Sequence, residues 1–396
     1  MSRRLTSIAI LLALAALALG AGQGPGRPDT IGPPRPLIVH EWGTFTSLAG
    51  QDGRAVDWLP LDRQSDLPCF VHRFRFNVKS QLPAKIRMET PVLYFYAPNE
   101  TTVNVNVRFH QGAVTEWFPP AAVTPASLDG SALRRPGFAS GITWSDVKIS
   151  PNAAADFPAE RDASHYYAAR HTDASPLRSG GQREKFLFYR GVGGFEPPIR
   201  ATVAADGRVM VEHPDGEPVG DAIVFENSGG MIAWQLLRGT GSRLVFDPPA
   251  GDGEIPPPHA ALERILVDRG LYPKEARAMI ETWRDSWFDE GKRLFYIVSR
   301  NTIDSILPLE IAPNPSEIVR VFVGRIELEK PGRATTVLRG PLSGCPRWST
   351  FSLPAFRGGR FAIAPPAIAG PTSARYRRRR DTAPIRGCGR RPGTRT

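Results

Sequence analysis

The alternation of apolar and polar residues is most regular over Ile86 to Pro119. Pro91-Val92-Leu93-Tyr94-Phe95-Tyr96 is apolar on both alternations, the pattern of a strand buried on both faces. After the turn Ala97-Pro98-Asn99-Glu100, Val103, Val105, Val107 and Phe109 alternate with Asn104, Asn106 and Arg108. That spacing predicts a half-buried strand with one wet face. Val114 to Phe118 extends a third strand, which stops at Pro119-Pro120. With such short connections the three are expected to form an antiparallel meander, the building unit of a β-sandwich.

Other segments repeat the signal. Leu37-Ile38-Val39 starts a strand that runs into His40-Glu41-Trp42-Gly43-Thr44-Phe45-Thr46-Ser47, and Phe70 to Lys79 alternates with period two. Ile142 to Ile149, Lys185 to Gly191, Ile199 to Val203, Val209 to Glu212, Ala222 to Glu226, Ile232 to Leu237 and Leu244 to Phe246 follow at the spacing of an all-β region, with a turn at Asp206-Gly207. Gly191-Val192-Gly193-Gly194 lacks the strand-to-helix context and the Lys of a phosphate loop, so it reads as a turn or bulge.

The period changes to helical over His259 to Glu290. Leu262, Ile265 and Leu266 mark a helix ending at Gly270; Pro273 opens a second, and Glu275 favours its N-terminal dipole. Ala276, Met279, Ile280, Trp283 and Trp287 form its apolar stripe, so the two tryptophans read as core contacts rather than a sugar platform. Glu281, Asp285 and Asp289 share a face, which Arg277 is expected to neutralise. Leu294 to Val298 and Ile318 to Glu327 return to strand. The expected class is mainly β, an antiparallel β-sandwich-like body with one helical hairpin.

Composition divides the chain further. Arg3 and Arg4 precede an apolar run from Ile8 to Leu19 with small residues at Ala18, Gly20 and Ala21, the pattern of an export leader over residues 1–22. That run is short for a membrane span, so no stable span is expected after cleavage. A Gly/Pro linker follows over 23–36, a β-rich domain over 37–250, and the helical hairpin with closing strands, packed on the β body, over 251–330. The expected location is periplasmic or extracellular.

Net charge is +11, which ordinarily points to a polyanionic partner. Residues 331–396 hold 14 Arg, no Lys and one acidic residue, a net of +13, which leaves residues 1–330 at −2. The body is near neutral, and no nucleic-acid partner is expected. The tail has no periodicity and reads as a disordered basic arm or as a shifted reading frame. Two of the three cysteines, Cys345 and Cys388, lie in it, so no structural disulfide is expected in the body that holds Cys69.

His40-Glu41 invites comparison with the zinc signature H-E-x-x-H, but Thr44 occupies its fifth position and the stretch favours extended backbone. A looser divalent-metal site would draw on His40, His72, His165 and His171, because zinc needs only three or four ligands brought together in space. His40 and Glu41 are the catalytic candidates; Trp42, Glu116, Trp117 and His165 are the binding candidates, with His40, Glu41 and Trp42 expected to line a pocket. Glu41, Glu89, Glu116, Glu184 and Glu226 supply many carboxylate pairs and single out none. No nucleophile elbow or cofactor fingerprint is present.

The opening motif, with Ile86 to Tyr96, Val114 to Pro119, His165 to Arg170 and Gly270 to Ala276, resembles a family of uncharacterised exported bacterial proteins over residues 38 to 329. The resemblance implies no activity. The leading expectation is an exported soluble envelope or extracellular protein with a binding or structural role, its ligand a carbohydrate or a protein. The rival is a hydrolase using His40 and Glu41, metal-dependent in one version.

Overall fold

A strand apolar on both alternations belongs in the middle of a sheet covered on both sides, and that is where Ile86–Tyr96 lies. The computed structural model describes residues 36–60, 67–73, 82–161, 164–248 and 257–328. The expected leader, nearly all of the linker, and the basic tail lie outside the described residues, as does the expected strand beyond Arg73.

Eighteen strands are described. In chain order they are β1 (Ile38–Ala49), β2 (His72–Arg73), β3 (Ile86–Tyr96), β4 (Thr101–His110), β5 (Gly112–Phe118), β6 (Ala122–Thr124), β7 (Ala139–Ile149), β8 (Leu177–Ser179), β9 (Gln182–Glu184), β10 (Leu187–Gly193), β11 (Arg200–Val203) and β12 (Val209–Glu212). They continue as β13 (Gly220–Ser228), β14 (Met231–Gly239), β15 (Arg243–Phe246), β16 (Gly291–Ile297), β17 (Leu309–Ala312) and β18 (Glu317–Leu328). The α-helices are α1 (His259–Asp268), α2 (Pro273–Trp287) and α3 (Arg300–Ile306), with 3-10 turns at Ala132–Arg134 and His165–Arg170.

The central sheet has nine strands in the order β14-β13-β16-β18-β1-β3-β10-β5-β2. A second sheet runs β17-β4-β7-β8-β9 with β6 on β7, and a third runs β11-β12-β15. Apolar side chains on one face of the central sheet, among them Val39, Leu93, Phe95 and Phe322, share a core with Val105, Val107 and Trp144 of the second sheet and Val209 and Phe246 of the third. Those on the other face, Trp42, Val92, Tyr94 and Val321, share a core with Leu262, Leu266, Met279, Trp283 and Trp287 of the helical pair. The central sheet is thus buried on both sides, and the expected class, mainly β with an antiparallel sandwich-like body and a helical hairpin, is the class observed. The β1–β18 pairing is parallel; every other pairing among the described residues is antiparallel.

The expected meander does not form. β3 pairs with β1 and β10 in the central sheet, β4 pairs with β7 and β17 in the second sheet, and β5 returns to the central sheet beside β10. The reason is burial: β3 needs cover on both faces, whereas β4 keeps Thr102, Asn104 and Arg108 in water. Consecutive strands therefore cross between layers at Ala97–Glu100. Proline in a central strand removes a ladder donor and is tolerated only at a bulge. Both pairings of β3 shift register around Pro91, and Thr90 beside it has φ 40°. Gly43 lies against this bulge; a Cβ there would stand 2.7 Å from the Phe322 ring and 3.2 Å from Pro91 Cα. The glycine-rich stretch of β10 carries the matching irregularity between Arg190 and Gly191, as a bulge rather than a phosphate loop.

The helical pair matches its pattern. α1 ends before Gly270, whose φ of 107° suits glycine, and Pro273 is the first residue of α2. Arg277 corrects one detail: it bonds Glu263 of α1, while Arg284 bonds Glu281. Helix α3, absent from the sequence reading, is capped by the Ser299 hydroxyl, which accepts from Thr302 N–H at 3.2 Å. Cys69 is disulfide-bonded, against the expectation for the body, and its partner falls outside the described residues. Among the described residues no helix is long and apolar enough to cross a membrane.

Candidate functional site

Successive side chains of a strand point to opposite faces, so adjacency in sequence separates His40 from Glu41 in space. His40 shares a face with Trp42, toward the helices; Glu41 lies on the face toward the second sheet. Each is the centre of a different buried network.

His40 is 1% exposed, and its Nδ1 donates to Glu275 Oε2 at 2.7 Å. The same carboxylate, at the third position of α2, accepts the Tyr272 backbone N–H at 2.8 Å and the Tyr96 hydroxyl at 2.7 Å. It thereby caps the helix and ties it to β1 and β3. The rings of Tyr96 and Tyr272 cover the imidazole, with centroids at 5.3 and 4.4 Å. Burial, then the Glu275 charge, pushes the Tyr96 hydroxyl far above its ordinary range, so it stays a donor.

Glu41 is fully buried and accepts from Tyr189 OH at Oε1 and from Arg320 Nε at Oε2, both at 2.5 Å. Arg320 also donates through Nη1 to Asp304 Oδ1 and to Leu307 O at the end of α3. Burial alone would depress the guanidinium pKa; the Glu41 charge, Tyr189 and the hydrogen bonds to Glu41 and Asp304 together outweigh it and hold Arg320 above its ordinary value. A buried ion pair of this kind adds little net stability, but removing one member typically costs about 3–5 kcal/mol by stranding the other.

The expected pocket of His40, Glu41 and Trp42 is therefore not assembled on one face. Trp42 is fully buried beside Tyr94, ring centroids 6.2 Å apart, in the core under the helices. Glu116 is fully buried, accepts the Thr115 hydroxyl at 2.6 Å, and stands opposite Arg190 and Arg73 in the sheet. Trp117 is half-buried and stacks on His72 with centroids 6.2 Å apart. His165 is on the surface, its Nε2 3.5 Å from Asp285 Oδ2, and His171 caps the same 3-10 turn. His40, His72, His165 and His171 do not converge, and no group of three or more His, Cys, Asp or Glu able to hold a metal ion occurs among the described residues.

The other glutamates are equally engaged. Glu184 accepts two bonds from Arg170, at 2.9 and 2.6 Å, and one from Tyr166; burial still raises its pKa despite that pairing. Glu226 pairs with Lys292 at 2.9 Å. Glu89 is 4% exposed, accepts from Thr46 Oγ1 at 2.8 Å, and lies 3.1 Å from Arg87 Nε. Sequence reasoning missed the partners Tyr96, Tyr189, Tyr272 and Arg320. The position of Glu275 in the first turn of α2 was the available signal for one of them.

One strip of the central sheet differs from the rest. On the face toward the helices, Arg325, Thr46, Thr44, Glu89, Arg190 and Glu116 form a polar row across β18, β1, β3, β10 and β5. It runs beneath the C-terminal half of α2: Arg190 lies under the Trp283 ring at 6.0 Å, and Arg325 Nη1 is 3.4 Å from Ser286 Oγ.

No family model matches this chain, and no curated protein does. Among solved structures it is similar to the yeast delta-COP-I mu-homology domain complexed with a Dsl1 WxWxV peptide, at 10% identity and a TM-score of 0.27 over 76% of this chain and 98% of that one. The same yeast domain without the peptide matches at 9% identity and 0.27 over the same shares. At that score the likeness defines neither fold nor function.

Proposed function

We propose that the protein works as a binding or structural module of the cell envelope or extracellular space, not as a hydrolase built on His40 and Glu41. The observation that carries this reading is the division of that pair between opposite faces of β1, His40 consumed by its bond to Glu275 of α2 and Glu41 by its bonds to Tyr189 and Arg320 of the same sheet. A general base and a metal ligand must converge on one reacting atom, and these two side chains diverge. The export half of the proposal rests on the pattern of Arg3, Arg4 and the apolar run to Leu19. Its check is the N-terminus of the secreted chain, expected just after Gly20 or Gly22.

The test of the non-catalytic reading is elemental analysis of the purified chain beside His40→Ala. Neither protein is expected to carry stoichiometric metal, and the variant should lose about 2–3 kcal/mol of stability through the lost bond to Glu275. Metal bound at one equivalent and lost in the variant would overturn the reading. Arrays of glycans and envelope proteins then address the ligand.

A further inference from the structure

A strand at the edge of a sheet is a template for another strand, and native proteins keep such edges short or interrupt them with charge and proline. Among the described residues most edges follow that rule. β2, which closes one side of the central sheet, is two residues long. β6 and β9 have three residues each, β11 and β15 have four, and β17 has four between Pro308 and Pro313. β14, at the other side of the central sheet, departs from it. It has nine residues, no proline, and one charged side chain, Arg238, whose Nε lies 3.6 Å from Asp221.

The register of the β13–β14 hairpin determines which groups face outward. Ser228 pairs with Met231 across Gly229-Gly230, both at positive φ, so the turn is a two-residue hairpin loop and its flanking pair is hydrogen-bonded. Bonding then alternates: Ala233, Gln235 and Leu237 bond to β13, and the N–H and C=O groups of Ile232, Trp234 and Leu236 are directed away from it. Side chains alternate too. Ile232, Trp234 and Leu236 pack half-buried on the helix side, and Leu237 on the side of the other two sheets, which places Met231, Ala233 and Gln235 with it. Met231 is 75% exposed, more than any other large apolar side chain described.

This pattern matches itself. Turned end for end about Trp234, the strand sets Ile232 against Leu236, Trp234 against Trp234, Met231 against Leu237 and Ala233 against Gln235. No position from Met231 to Leu237 carries charge, so the edge selects neither an acidic nor a basic partner, and two copies meet there without repulsion. We propose that β14 pairs antiparallel with the same strand of a second copy, about a two-fold axis at Trp234, and so joins two nine-stranded sheets into one. The same patch serves both chains, as a two-fold dimer requires. Ile232 exchanges backbone hydrogen bonds with the partner's Leu236, and Met231 is covered by the partner's Leu237. The dimer is independent of the reading given for His40 and Glu41: a monomer would leave that reading intact.

The test is light scattering on size-exclusion fractions of the full chain, loaded at about 1 to 100 μM, with two variants. Met231→Lys combined with Ala233→Lys puts charge on the edge at positions that reach solvent. Ile232→Pro removes an outward N–H and leaves the bonds to β13 in place. The parent is expected to be a dimer, and each variant to raise its dissociation constant by about tenfold or more while keeping the parent's circular dichroism spectrum. Hydrogen exchange over Met231–Gly239 should slow as the parent is concentrated. A parent that stays monomeric across the range would overturn the proposal, including one that instead takes up an added peptide along β14. So would a dimer that the folded lysine variant leaves intact, or one whose exchange over Met231–Gly239 does not change with concentration, because either would use another surface.

Discussion

His40 and Glu41 are neighbours in the chain whose partners lie 235 and 279 residues away, at Glu275 and Arg320. At this scale the decisive variable is which face a side chain takes, since one step along a strand exchanges a helix for a sheet as neighbour. His259, the first residue of α1, gives a test sensitive to a single proton. Burial, and then the nearby Arg284 charge, lowers its pKa below the ordinary 6.5, and its ring lies edge-on to Phe288 at 4.5 Å. The folded state thus favours the neutral ring: the stability it contributes is full above about pH 6.5 and is lost as pH falls through the lower folded-state value. The difference in melting temperature between the parent and His259→Gln should narrow between about pH 8 and pH 5. Parallel curves would show that His259 titrates alike folded and unfolded.

Elements were legible where the pattern was self-sufficient. Leu93 and Phe95 face one core while Val92 and Tyr94 face the other, as a strand apolar on both alternations requires, and Gly270 with Pro273 placed the junction of α1 and α2. Sheet membership was not legible, because β3, β4 and β5 read alike whether they pair with each other or cross between layers. The candidate site suffered most: a motif shows residue types side by side, and neither the bulge at Pro91 nor the distant partners of His40 leave a local trace. The C-terminal end of α2 yields a prediction of its own. Arg293 of β16 donates to the carbonyls of Trp287, Asp289 and Glu290 and to the Glu327 carboxylate, satisfying acceptors that the helix end leaves open. Lysine cannot spread donors over that fork. Arg293→Lys should cost about 1–3 kcal/mol in urea unfolding and raise hydrogen exchange locally over the last turn of α2.

Across the whole molecule, β18 lies between β16 and β1 in the middle of the nine-stranded sheet, and its parallel pairing with β1 joins residues near 40 to residues near 320. Deleting residues 317–328 removes a central strand and strands Glu41 without Arg320. The expected outcome is loss of cooperative unfolding by circular dichroism; a truncated chain that still melted in one sharp transition would contradict the sheet order. The same pairing sets a clock on the growing chain. Of the described strands a ribosome makes β1 first and β18 last, so the described sheet cannot close until β18 has been made, and the apolar faces of β1 and β3 have to wait for it. Until then these faces are open to chaperones, proteases and other nascent chains, and the vulnerable interval lengthens with every residue placed between the two strands.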